Sequence, residues 1–135
     1  MEKQNQTIGD NKFNKRLNNL VKITFAIGGY FGGTEQRTLT FDGEQIIVKT
    51  EIFNGFESEL DPTEHYVGKT RTSLIKGLKK LHIGRWKEAY CNPEILDGTQ
   101  WHLLMEFADQ TSIESYGSNA YPLNFGLFLR LMEMK

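Results

Sequence analysis

The chain has 135 residues, a net charge of −1, 39% hydrophobic and 24% charged residues, and a single cysteine, Cys91. Length and composition are those of one ordinary folded domain and argue against whole-chain disorder. A lone cysteine excludes an internal disulfide and fits a reducing compartment, and near-neutrality argues against bulk electrostatic attraction to nucleic acid or anionic lipid.

Residues 1–19 are rich in Asn, Gln and Lys and read as a mobile polar tail, with at most a helical turn around Phe13 to Leu17. They hold no apolar run of signal-peptide length. No stretch of the chain approaches the roughly 18–20 apolar residues of a membrane span, so a cytoplasmic protein is expected. Order is expected from Leu20, giving one domain over 20–135.

In the first strand Val21, Ile23, Phe25 and Ile27 alternate with Lys22, Thr24 and Ala26, which puts one set on a core face. The glycine-rich GGYFGG reads as a hairpin loop carrying Tyr30 and Phe31. A second strand, Glu35 to Phe41, carries Leu39 and Phe41. Asp42-Gly43, a dipeptide favoured in type I′ hairpins, turns it into a third, about Gln45 to Phe53, with Ile46, Val48 and Ile52 on one side. Residues 54–70, with Asn54-Gly55 and Asp61-Pro62, read as a loop.

Leu74, Ile75, Leu78 and Leu81 predict a helix over about 72–82, with Gly84 as its stop. After a short segment from Arg85 to Tyr90 and two turns, Trp101, Leu103, Met105 and Phe107 alternate in a fourth strand. A fifth, about Thr111 to Tyr116, is broken by Gly117-Ser118-Asn119. Pro122 suits the first turn of a closing helix whose buried stripe is Leu123, Leu127, Phe128 and Leu131, widened by Phe125 and Leu129. The expected fold is α+β: an antiparallel sheet of about five strands, in the order β-β-β-α-β-β-α, with two helices packed on one face.

Two stretches, Asp97-Gly98-Thr99-Gln100-Trp101 and Gly117-Ser118-Asn119-Ala120-Tyr121-Pro122-Leu123-Asn124-Phe125, carry a resemblance. They resemble a pattern in small uncharacterised proteins of Gram-positive bacteria and their mobile elements, over about the last third of the chain. The resemblance implies one compact bacterial domain and brings no assigned activity or catalytic residue.

Charge is segregated along the chain. Between Asp42 and Glu64 seven acids face one base, Lys49; from His65 to Lys87 there are bases and no acid. Lys69, Arg71, Lys76, Lys79 and Lys80, with Arg85 and Lys87 beyond the helix, form a candidate partner-binding surface, joined by Tyr30 and Phe31 as loop-borne aromatics. The plainer reading of these bases is the wet face of an amphipathic helix.

Catalytic signals are weak. Cys91 with His102 and Asp97 or Asp109 lacks any spacing that enforces a nucleophile, base and orienter, and Cys91 reads as a small residue packed beside Trp86. His65, His82, Cys91 and His102 lack the paired spacing of zinc ligands. Gly68-Lys69-Thr70 echoes the end of a phosphate loop without its upstream glycine. Glu57, Glu59, Asp61 and Glu64 lie in a loop without calcium-loop spacing. No catalytic, cofactor or metal site is expected.

The expected function is therefore a non-enzymatic protein-binding or regulatory protein of bacterial, phage or mobile-element origin. One concrete form is an inhibitor of a defence nuclease, of the anti-CRISPR kind. The alternatives are a nucleic-acid-binding module using residues 69–87, with Trp86 as a stacking aromatic, and a small enzyme with an unrecognised site.

Overall fold

The computed structural model describes residues 12–29, 33–54, 57–58, 63–94 and 98–134. A short helix, α1 (residues 12–17), leads into β1 (Leu20–Gly29), β2 (Thr34–Asp42) and β3 (Gln45–Asn54). Then come β4 (Glu57–Ser58), β5 (Thr63–Thr70), α2 (Arg71–Lys80), a turn of 3-10 helix (Ile83–Arg85) and β6 (Ala89–Cys91). The chain closes with β7 (Thr99–Phe107), β8 (Ser112–Ser118) and α3 (Phe125–Leu131). The class is α+β, with more strands and helices than the pattern predicted.

The strands form one mixed sheet in the order β4-β3-β2-β1-β7-β8-β6, with β5 beside β4 on the outer edge of β3. All pairs are antiparallel except β6 with β8, which are parallel. One row across the sheet shows how the core is laid down. Ile113, Met105, Ile23, Leu39 and Val48 stand opposite one another on five adjacent strands. Alternation puts the next row, Glu114, Leu104, Thr24, Thr38 and Lys49, on the other face. The helices pack on the first face, and the second stays open, apolar inside and polar outside as an antiparallel sheet permits.

Five sequence expectations shift. Residues 63–70 are strand β5, though expected as loop. Their burial is slight, and the strand is held by its ladder to β3, which leaves no hydrophobic alternation to read. The ordered fold begins by residue 12, because Phe13 and Leu17, one helical turn apart, are buried and Phe13 meets Phe107 edge to face. In β1 a register shift between Leu20 and Lys22 sends Leu20 into the core and leaves Val21 45% exposed. The β2–β3 turn pairs Asp42 with Gln45, so Gly43, at φ +61°, is the first central residue, as in a type II′ turn. Finally, β8 runs through Gly117 and Ser118, and Asn119, at φ +59°, ends it.

Candidate functional site

The surface with the strongest functional character is the outer side of α3. Its inner side is fixed by aromatic packing. Phe128 lies edge-on to Phe25 with ring centroids 5.0 Å apart, and Phe125 sits 5.0 Å from Trp101. Trp86 closes the cluster 5.4 Å from Phe128. The C-terminal end of the helix is tied down. At its start Asn124, at φ +67°, is the N-cap residue but makes no side-chain capping hydrogen bond, where Pro122 was expected to open the helix. At the finish Arg37 donates to the carbonyls of Met132 and Glu133, and the Lys69 ammonium donates to the Leu131 carbonyl at 2.7 Å. Cations at a helix C-terminus satisfy its free carbonyls and oppose its dipole.

With the helix held this way, Phe125, Phe128 and Met132 are buried, while Leu127 on α3 and Leu123 just before it point outward. Leu123 and Leu127 therefore leave the expected stripe, whereas Phe125 and Phe128 are buried as expected. Leu123 is 83% exposed, Leu127 49% and Tyr121 45%. Arg130 is the one charged residue of the helix, so its outer side is apolar where water would favour polar groups. Leu131, half-buried, fits against Gly77 of α2, where a β-carbon would come within 2.9 Å of it. The two helices run antiparallel: Lys69, just before α2, meets the end of α3, and Trp86, past α2, meets its start.

Charge frames this apolar strip. The three helices carry eight bases and no acid: Lys12, Lys15 and Arg16 in α1, Arg71, Lys76, Lys79 and Lys80 in α2, and Arg130 in α3. Several of the predicted partner-binding bases hold the fold together. Lys69 caps α3. Arg71 donates to the carbonyls of Asn18 and Leu20, both at 2.9 Å, and lies over the Phe41 ring. Lys79 donates to the Asn18 side chain at 2.8 Å. Lys76, Lys80, Arg85 and Lys87 are exposed. Tyr30 and Phe31 lie outside the described residues.

Several acids take the opposite face. Glu51, Glu64, Glu106 and Glu114 stand on the open side of the sheet with Lys22 and Lys49. The His102 ring and the Glu114 carboxylate are in hydrogen-bond contact there, beside a cleft of about 440 Å³ lined by Ala26, Gly28, Gly29, Thr34 and Gln100. Trp101 and His102 complete its lining.

The remaining sequence candidates do not converge. His65 on β5 and Cys91 on β6 lie at opposite edges of the sheet, and among the described residues no three His, Cys, Asp or Glu side chains gather. Cys91 is exposed on the edge strand, contrary to the expected packing against Trp86. Instead Tyr90 stacks near Trp101 and its hydroxyl accepts the Lys87 amide. Of Gly68-Lys69-Thr70, Lys69 ties down α3 and Thr70 caps α2 by accepting the Ser73 amide. Glu57, Glu59 and Asp61 have no described side chains, while Glu64 pairs across from Lys49.

The two stretches that carried the resemblance meet in space. The Trp101 indole lies across Gly117 and donates to the Ala120 carbonyl at 2.9 Å. The Asn119 side chain occupies the space a β-carbon on Gly98 would need, and the Asn119 backbone N–H donates to the Thr99 carbonyl at 2.8 Å. Together they form a junction that sets the entry angle of α3. No family model, curated protein or solved structure matches this chain. The functional reading rests on geometry alone.

Leu123 and Leu127 are the residues that sequence reasoning misassigned. A signal was present: Phe125–Leu131 has five large apolar residues in seven, more than one buried side can take.

Proposed function

We propose that this chain is a non-enzymatic protein-binding module that docks through the outer side of α3. The observation that supports the reading is the exposed apolar strip of Tyr121 and Leu123, just before α3, and Leu127 on it, where the buried side and the C-terminal end of the helix are independently secured. Exposed apolar side chains held on a rigid element, with a polar rim, are the usual make-up of a protein interface. The basic helical layer and the acidic open sheet face would orient an approaching partner. An inhibitor of a bacterial defence nuclease is one concrete form of this function.

The nucleic-acid reading is less well supported. Trp86 sits half-buried in the aromatic cluster, and three bases of the 69–87 stretch are engaged in the fold.

The test is affinity capture from the native host with the wild-type chain and with a Leu123→Asp/Leu127→Asp double variant, after nuclease treatment of the lysate. A stoichiometric protein should be recovered with the wild type and be lost with the variant, which should unfold at an unchanged temperature. Equal recovery with both chains would refute docking through α3.

A further inference from the structure

A second interaction surface lies at the far edge of the sheet. The last strand, β6, covers only part of β8: Ala89, Tyr90 and Cys91 lie beside Tyr116, Gly117 and Ser118. The Tyr116 amide donates outward to the Glu88 carbonyl, away from β7. Strand alternation then points the backbone N–H and C=O groups of Glu114 and Ser112 outward as well. Before Glu88 the chain leaves this edge for the 3-10 turn at Ile83–Arg85, so among the described residues no strand lies beside β8 there.

The uncovered edge forms the floor of a groove of about 660 Å³. Phe13 and Arg16 of α1 make one wall, Gly84 and Trp86 the other, and Ile113 faces the interior. One polar atom of a lining residue, the donor Nε1 of Trp86, is buried without a hydrogen-bond partner. Lys12 and Lys87 stand at the lip, with no carboxylate partner among the described residues. Two acids, Glu88 and Glu114, also line the groove against the three bases Lys12, Arg16 and Lys87, and Glu114 is engaged by His102.

We infer that this edge takes up an extended segment of a partner polypeptide as an added strand. The segment continues the line of β6 and hydrogen-bonds to the outward groups of Ser112 and Glu114. About three to four residues fit the open length at the strand rise of roughly 3.3 Å per residue. Their inward side chains are apolar, meeting Phe13 and Trp86, and an acidic residue flanks them opposite Lys12 and Lys87. This surface is separate from the outer side of α3 and does not depend on it.

The test pans a phage-displayed library of random nonapeptides against the full chain and studies the best clone as a synthetic peptide. Recovered sequences should share alternating apolar residues with a flanking acid. In hydrogen exchange the amides of Ser112 and Glu114 should exchange freely in the unbound chain and be protected by the peptide. Ser112→Pro removes only an outward-pointing N–H, a substitution that edge strands tolerate, and should weaken binding at least tenfold. The Leu123→Asp/Leu127→Asp variant should bind the peptide as well as the wild type, which separates this surface from α3. Should Ser112→Pro fail to fold, the exchange pattern of the wild-type chain decides the question by itself. Failure to enrich any sequence, protection confined to other residues, or protection already present without peptide would each overturn the inference.

Discussion

Trp101 joins three parts of the chain through one side chain. Its ring packs against Phe25 and Phe125, its Nε1 donates to the Ala120 carbonyl, and its face covers Gly117. A β-carbon at position 117 would lie 2.3 Å from that nitrogen and 2.6 Å from the Ala120 carbonyl oxygen, so the indole would have to move. Gly117→Ala should cost about 1–3 kcal/mol, as overpacking does, read as a drop in thermal midpoint of several degrees. At the start of α2, Glu44 accepts the Thr72 amide at 3.0 Å beside the Thr70 cap. Hydrogen bonds from Thr72, with a smaller contribution from the Arg71 guanidinium, hold the Glu44 carboxyl below its ordinary range. A folded-state pKa below the unfolded one stabilises the fold above the unfolded value and is lost as pH falls through the folded value. The first turn of α2 should therefore loosen only in acid. In an NMR titration the Thr72 amide should lose protection together with Glu44 protonation, and Glu44→Gln should abolish that step.

Among the elements, α3 decides how the account stands. Alanine at Phe128, fully buried against Phe25 and Trp86, should cost about 3–5 kcal/mol in urea unfolding. Alanine at Leu123 should change stability by less than about 0.5 kcal/mol, as surface positions do. A large loss at Leu123 would mean that it belongs to the core. The strands with clean alternation, β1 through β3 and β7, were legible in the sequence because a buried face repeats every two residues. β5 was not, because its backbone is paired at an edge and its side chains carry little burial signal. α1 was read as at most a helical turn for a related reason: six residues give too short a window for helical periodicity, and its place is fixed by Phe13 and Leu17 in the core and by Arg16 against Thr111 and Phe107. The site was half legible. The basic character of α2 could be counted, but which apolar face of α3 meets the core depends on Trp86, Trp101 and Phe25, which come from distant parts of the chain.

For the whole molecule, the charge blocks of the sequence become two faces. Acids from β3, β5, β7 and β8 gather on the open side of the sheet, and bases gather on the helices, so a net charge near zero conceals a strong asymmetry. Such a field orients encounters more than it adds affinity, and the apolar strip of α3 supplies the contact that lasts. The most direct measurement places a photo-cross-linking amino acid at Leu127, and in a second chain at Thr38 on the open sheet face, and irradiates each in the native host. The account predicts one discrete protein adduct from position 127 and none from position 38. Adducts from position 38 alone, or none from 127, would contradict it.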